Sequence, residues 1–164
     1  MSNGYKGNNP RHNNPRNFNN NNQHQTLEKI DFSNSTPDEI VKTAEKNAKN
    51  WKNGFRDITI TQVRKYFNAI KQIELKTKDL KDTDKVKTEL IYLKPMLAYQ
   101  SGRAKNPRAT EPFFKHLIDT IDNTVENFNS EKFTKFIKYS EALISYYKFY
   151  GGKDAWKKYL IKLN

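Results

Sequence analysis

The chain has 164 residues, the length of a single domain, and carries 30 lysines and arginines against 18 acidic residues, a formal net charge of +12. So large a basic excess favours a polyanionic partner, either a nucleic acid or an anionic membrane surface. The lack of cysteine excludes disulfides and thiolate metal sites, and no apolar run reaches the roughly 18 residues that a membrane-spanning helix needs. The N-terminus has no apolar core of a signal peptide, so we expect a cytoplasmic protein without a membrane partner.

The first part of the chain has a composition typical of disorder. Asparagine dominates residues 3–22, and no acidic residue precedes Glu28. Such a low-complexity segment buries too little apolar surface to offset the entropy lost on ordering. The sequence predicts a disordered asparagine-rich tail over residues 1–34, most simply a solubilising extension, followed by a helical-bundle domain over residues 35–164.

Apolar residues at three- and four-residue spacing predict two helices after the tail. The first begins after Ser35 or Thr36, since Pro37 and the acidic pair behind it suit a helix start, and it ends at Gly54. The second is predicted to have Thr61 as its cap. The predicted core positions are Ile40, Val41, Ala44, Ala48 and Trp51 in the first helix and Val63, Tyr66, Phe67, Ile70 and Ile73 in the second.

The third predicted helix is unusual because it contains a proline. It begins near Asp82 or Asp84 and ends at Gly102, a natural helix C-cap. Pro95 removes a backbone hydrogen bond and predicts a kink. A basic segment follows directly, and we expect the kinked helix to position this segment against a phosphate backbone. The predicted core positions are Val86, Leu90, Leu93 and Leu97.

Two further long helices and a short one complete the predicted fold. The fourth starts after Pro107 or near Thr110, the fifth has Ser130 as its N-cap, and the short one covers residues 153–163. The predicted core positions are Phe113, Leu117, Ile121, Val125 and Phe128 in the fourth helix and Phe133, Phe136, Ile137, Ser140, Leu143, Ile144 and Tyr147 in the fifth. The fold class is therefore all-α, a compact bundle of five main helices plus a short C-terminal helix, with neighbours mostly antiparallel because the links are short.

Residues for catalysis or metal binding are scarce. His116 is the only histidine in the predicted body, and its place beside the core stripe predicts a surface or rim side chain. Asp119 and Asp122 share a helix face, where we interpret them as solvated carboxylates rather than a catalytic pair. A glycine-rich phosphate loop is also missing. We expect no enzymatic activity, no cofactor and no metal.

The polar residues of the second and third helices are better candidates for a binding site. Arginine binds two phosphate oxygens with its planar fork, and amide side chains add hydrogen bonds. Contacts of this kind position a nucleic acid without reading its sequence. The candidate RNA-binding residues are Arg64, Lys65, Asn68, Lys71, Lys94, Gln100, Arg103, Lys105 and Arg108.

Two sequence blocks carry a resemblance to a known family. One is ITITQVRKYFNAI over residues 58–70, and the other is LIYLKPMLAYQSGR over residues 90–103. In order and spacing they resemble the small subunit of the type III-A CRISPR effector, the Csm interference complex. The tail lies outside this resemblance.

The resemblance implies a five-helix bundle without catalytic activity. Its members stack as repeated copies within a ribonucleoprotein, beside other effector subunits that hold the CRISPR RNA, and touch mainly the backbone of the target RNA. The residues that match the motif blocks are Arg64, Lys65, Lys94, Gln100 and Arg103, whereas Lys105 and Arg108 depend on charge alone. A stand-alone basic helical DNA-binding protein remains the alternative, and a small nuclease a third class.

Overall fold

The computed structural model describes residues 27–54, 58–77 and 83–151, together with Met1. Within these residues the only regular secondary structure is α-helix, which confirms the all-α class. The predicted short C-terminal helix and all but the end of the predicted tail lie outside the described residues. The five helices are α1 (Pro37–Gly54), α2 (Ile60–Thr77), α3 (Thr83–Gly102), α4 (Pro107–Val125) and α5 (Ser130–Gly151).

Local capping explains where α1 and α4 begin. The Glu39 N–H donates to Thr36 Oγ1 at 3.3 Å, and the Thr36 N–H donates to the Glu39 carboxylate at 2.7 Å, a reciprocal capping box. At α4, Asn106 Oδ1 accepts from the Ala109 N–H at 3.4 Å, and Pro107 occupies the first helical turn. Both starts agree with the prediction.

The caps of α2 and α5 differ from the prediction by two residues and one residue. Thr59, not Thr61, caps α2, because its side chain accepts from the Gln62 N–H at 3.2 Å and Gln62 Oε1 accepts from the Thr59 N–H at 3.0 Å. Asn129 caps α5 by accepting from the Lys132 N–H at 2.8 Å. In each case the predicted residue is a good cap by type, but the preceding polar residue is the one that reaches the free N–H groups.

One end of the bundle brings together the C-terminal ends of α1, α3 and α5 and the N-terminal ends of α2 and α4. The Trp51 ring near the end of α1 packs edge-on against Phe113 in α4, with centroids 4.2 Å apart, and lies 6.2 Å from Tyr147 in α5. The Tyr147 hydroxyl donates to the carbonyl of Ile58, just before α2, at 2.9 Å. Since residues 103–106 alone join α3 to α4, the end of α3 also lies there. We call this region the α3–α4 end. Successive helices alternate in direction, so α1 and α5 both end there.

Most predicted core positions are buried. All four apolar positions of α3 are buried, and α3 continues past Pro95 to the predicted end at Gly102. Val41 is an exception, with 43% of its surface exposed. The kink at Pro95 stays a prediction.

The segment before α1 belongs to the helical body. Leu27, Ile30 and Phe32 are buried, and the Phe32 ring meets Phe136 and Tyr139 edge-on with centroids 6.0 and 5.7 Å away. Burying three apolar side chains offsets the entropy lost by ordering the segment. The helical body therefore includes residues 27–34, which the sequence prediction assigned to the tail.

Candidate nucleic-acid interface

Three of the candidate cations lie on the corner between α3 and α4. Arg103 follows Gly102, and its N–H still donates to the Tyr99 carbonyl at 3.2 Å, so the helical path persists to the corner. Lys105 and Arg108 flank the start of α4, and all three cationic side chains are exposed. None of the three forms an ion pair within the described residues. Among the residues that the structure describes, no carboxylate forms an ion pair with the positive charge of this corner.

The first turns of α2 add a second group of exposed polar residues. Arg64, Lys65 and Asn68 are exposed, and none forms an ion pair or side-chain hydrogen bond in the part of the chain that the structure describes. Because α2 begins at the α3–α4 end, this group and the corner share one end of the bundle. Exposed cations concentrated in this way attract a polyanion.

Two other candidates, Lys71 and Lys94, are paired with acids from neighbouring helices. Lys71 Nζ binds the Glu74 carboxylate at 2.6 Å and also binds Glu141 of α5; these carboxylates, Glu141 first, raise the pKa of Lys71. Lys94 Nζ lies 2.5 Å from the Asp122 carboxylate of α4. Their charge is offset, which separates them from the unpaired cations at the α3–α4 end.

The remaining candidate, Gln100, is half-buried on α3, near the corner. Its neighbour Tyr99 was not a predicted site residue, although its ring is 59% exposed. Arg103 Nη1 donates to the Tyr99 hydroxyl at 3.1 Å, and the guanidinium carbon lies 5.4 Å from the ring centroid. The four-residue spacing of the pair is the sequence signal that indicates this contact, since such residues are neighbours on a helix.

His116 is buried, with 5% of its surface exposed, so the predicted surface position is wrong. Its Nε2 lies 2.6 Å from the Tyr139 hydroxyl, which also accepts from Asn47 Nδ2 at 2.9 Å. The phenolic hydrogen is therefore free to point at Nε2, which accepts it as part of a neutral ring. Burial lowers the pKa of His116 to about 4, partly opposed by Asp119.

The same network fastens the segment before α1. Asn47 Oδ1 accepts from the Glu28 N–H at 2.8 Å, and Asn47 Nδ2 donates to the Glu28 carbonyl at 3.0 Å. His116, Tyr139 and Asn47 therefore join α4, α5 and α1 to the segment before α1. The described residues contain no group of three or more side chains able to hold a metal ion. None of the helices described is long and apolar enough to cross a membrane.

Comparisons with known proteins identify the family of this chain. The chain is 32% identical over 100 residues to "CRISPR system Cms protein Csm2" of Streptococcus thermophilus, a match that covers 59% of this chain and 76% of the relative. It is 34% identical over 100 residues to the protein of the same description from Enterococcus italicus, covering 58% of this chain and 70% of the relative. Residues 34–153 match the family profile described as Csm2 Type III-A. The chain therefore belongs to the Csm2 family, the small subunits of type III-A CRISPR systems.

Proposed function

We propose that this subunit is non-catalytic and binds the backbone of the guide and target RNA without sequence preference, through the unpaired cations of the α3–α4 end. The observation that carries the proposal is the separation of charge: Arg64, Arg103 and Arg108 are exposed and have no carboxylate partner in the described ranges, whereas Lys71 and Lys94 are paired with acids. Arginine suits phosphate because its fork binds two oxygens at once.

Sequence-neutral contact matches the requirements of an RNA-guided complex. Pairing between the guide and its target reads the sequence, so protein subunits need only recognise the shape and charge of the backbone. Each copy supplies a few phosphate contacts, which makes isolated binding weak and strongly salt-dependent. Repeated copies stacked beside other effector subunits in the cytoplasm would combine these contacts through effective concentration.

The test is a charge reversal at the α3–α4 end. The full chain with Arg64→Glu and Arg103→Glu should bind fluorescently labelled single-stranded RNA at least about tenfold more weakly than the unmodified chain, because two phosphate contacts are replaced by repulsion. Fluorescence anisotropy with RNAs of several sequences measures the affinity, and retention of target RNA by the assembled complex gives a second readout.

A matched control reverses the same number of charges elsewhere. Lys42 and Lys76 are exposed in the second turn of α1 and the last turn of α2, at the opposite end of the bundle. The double change Lys42→Glu and Lys76→Glu should leave RNA affinity within about twofold of the unmodified value. Equal loss in both variants would contradict the site, and tight, sequence-selective binding of duplex DNA by the lone chain would favour the DNA-binding alternative.

A further inference from the structure

Tyr99 places a large aromatic ring on the surface next to the unpaired cations. Its ring is 59% exposed in the last full turn of α3. Of the aromatic residues that the structure describes, two others are more exposed, Tyr92 at 69% and Phe149 at 74%. Neither of them has a cation against its ring within the described residues, so the charged environment distinguishes Tyr99.

The ring of Tyr99 is held in position by its neighbour. Arg103 Nη1 donates to the Tyr99 hydroxyl at 3.1 Å, and the guanidinium carbon lies 5.4 Å from the ring centroid. A backbone hydrogen bond from the Arg103 N–H to the Tyr99 carbonyl, at 3.2 Å, also joins the two residues. A cation at this range is attracted to the electron-rich face of the ring. The side chain thus loses less freedom when a ligand binds than an unsupported surface tyrosine would.

A nucleobase is the ligand that fits both features. Every base has a flat π-face, so stacking on an aromatic ring tolerates any sequence, as a backbone-binding subunit requires. Arg103 remains exposed and carries spare donors for a phosphate oxygen beside the stacked base. We infer that Tyr99 stacks on an unpaired RNA base while Arg103 binds the adjoining phosphate; this inference depends on the RNA-binding function proposed above.

The experiment compares Tyr99→Leu with Tyr92→Leu in the full chain. Tyr92 is a matched control because it is an exposed tyrosine of the same helix, seven residues or about 10 Å before Tyr99. Affinity is measured by anisotropy for an intact single-stranded RNA and for an abasic RNA of the same length, each over a range of salt concentrations. We expect Tyr99→Leu to weaken binding of intact RNA by about fivefold or more, since stacking contributes about that factor per base.

The salt dependence separates stacking from phosphate binding. Loss of a phosphate contact lowers the slope of log affinity against log salt by about 0.7 for a single strand. Tyr99→Leu should leave that slope unchanged and leave abasic RNA unaffected, whereas Arg103→Gln should lower the slope. Tyr99→Phe keeps the ring and should bind intact RNA within about twofold of the unmodified chain.

Several results would overturn the inference. One is equal weakening of intact and abasic RNA by Tyr99→Leu, another is a slope change like that of Arg103→Gln, and a third is equal loss in Tyr92→Leu. In all three cases the unmodified chain still binds RNA, so the proposed function stands. If the unmodified chain does not bind RNA at all, both proposals fail.

Discussion

The middle of the bundle and the α3–α4 end differ in whether their polar side chains have partners from other helices. In the middle, Lys94 meets Asp122 across two helices, and the buried His116 meets Tyr139. At the end, Arg64 and Arg108 are exposed with no acid against them in the described part of the chain. The contrast shows that the charge available for a partner depends on which cations the fold leaves unpaired, not on the total of +12.

Geometry accounts for this difference. A residue midway along a helix lies beside neighbouring helices, and an acid on a neighbour brings its carboxylate within reach of a lysine, as Glu141 does for Lys71. Arg103, Lys105 and Arg108, in and beside the link between α3 and α4, are instead exposed to solvent. Exposed charge at the end of the bundle is therefore more available to attract a polyanion than charge that is already paired.

The largest expected change in stability tests whether the segment before α1 packs against the core in solution. Phe32→Ala removes a fully buried ring and should lower the free energy of unfolding by about 3–5 kcal/mol, measured by urea denaturation. Phe149→Ala is the matched control, because that ring is 74% exposed and its loss should change stability by no more than about 0.5 kcal/mol. Equal, small effects would mean that the segment is not docked in solution.

The buried histidine should make the middle of the bundle sensitive to acid. The folded chain keeps His116 neutral with a pKa of about 4, whereas the unfolded side chain has its ordinary value of 6.5. Below pH 6.5 the unfolded state therefore binds more protons, and stability falls as the pH falls, by about 2 kcal/mol between pH 7 and pH 5 from this group alone.

His116→Gln removes the titrating ring and provides the comparison. The variant should be less stable at pH 7, since a buried contact changes, but its loss of stability between pH 7 and pH 5 should be smaller by about 2 kcal/mol. Thermal or urea unfolding at both pH values measures the difference. Identical pH dependence in the two proteins would show that His116 is not buried as a neutral ring.

The next effect contrasts one unpaired cation with one paired cation. Arg108→Gln should weaken RNA binding by about fivefold and lower the salt slope by about 0.7, because it removes one phosphate contact. Lys94→Gln should change affinity by less than about twofold, since Asp122 already offsets its charge. Fluorescence anisotropy over a range of salt concentrations measures both affinities. Equal losses of RNA affinity in the two variants would contradict the distinction between paired and unpaired cations.

The smallest effect concerns the ion pair between α2 and α5. A double-mutant cycle of Lys71→Met and Glu141→Gln should give a coupling energy of less than about 1 kcal/mol, because Lys71 is 32% exposed and water screens the pair. The coupling, from urea denaturation, should shrink further in high salt. A coupling of several kcal/mol would mean that the pair is far better shielded than its exposure indicates.

The helices were predictable because their signals are local. The leucines of α3 repeat at helical spacing, so they occupy one face and become its buried side. Helix ends were predictable to within a few residues: α3 ends at Gly102 as predicted, and α4 begins at Pro107, close to the first of its two predicted starts. The exact cap was less predictable, since Thr59 and Thr61 are equally suitable by type and only the path of the chain decides between them.

The candidate site was partly accessible from the sequence. Arg103, Lys105 and Arg108 form a basic run after a helix end, a pattern visible without a structure. The pairing of Lys71 with Glu141 joins residues 70 positions apart, and no local pattern indicates it. His116 was mispredicted because its position beside the core stripe is covered by Tyr139 of α5 and Trp51 of α1.

The sequence by itself determined the five helices, their buried faces and the resemblance to the Csm2 family, because helical period, capping residues and motif order are properties of short stretches of chain. Only the tertiary structure decided that Phe32 belongs to the core, that His116 stays neutral, and that Arg64, Arg103 and Arg108 lie exposed at the α3–α4 end without an ion pair among the described residues. Burial and charge pairing depend on which distant segments come together, and packing alone sets that.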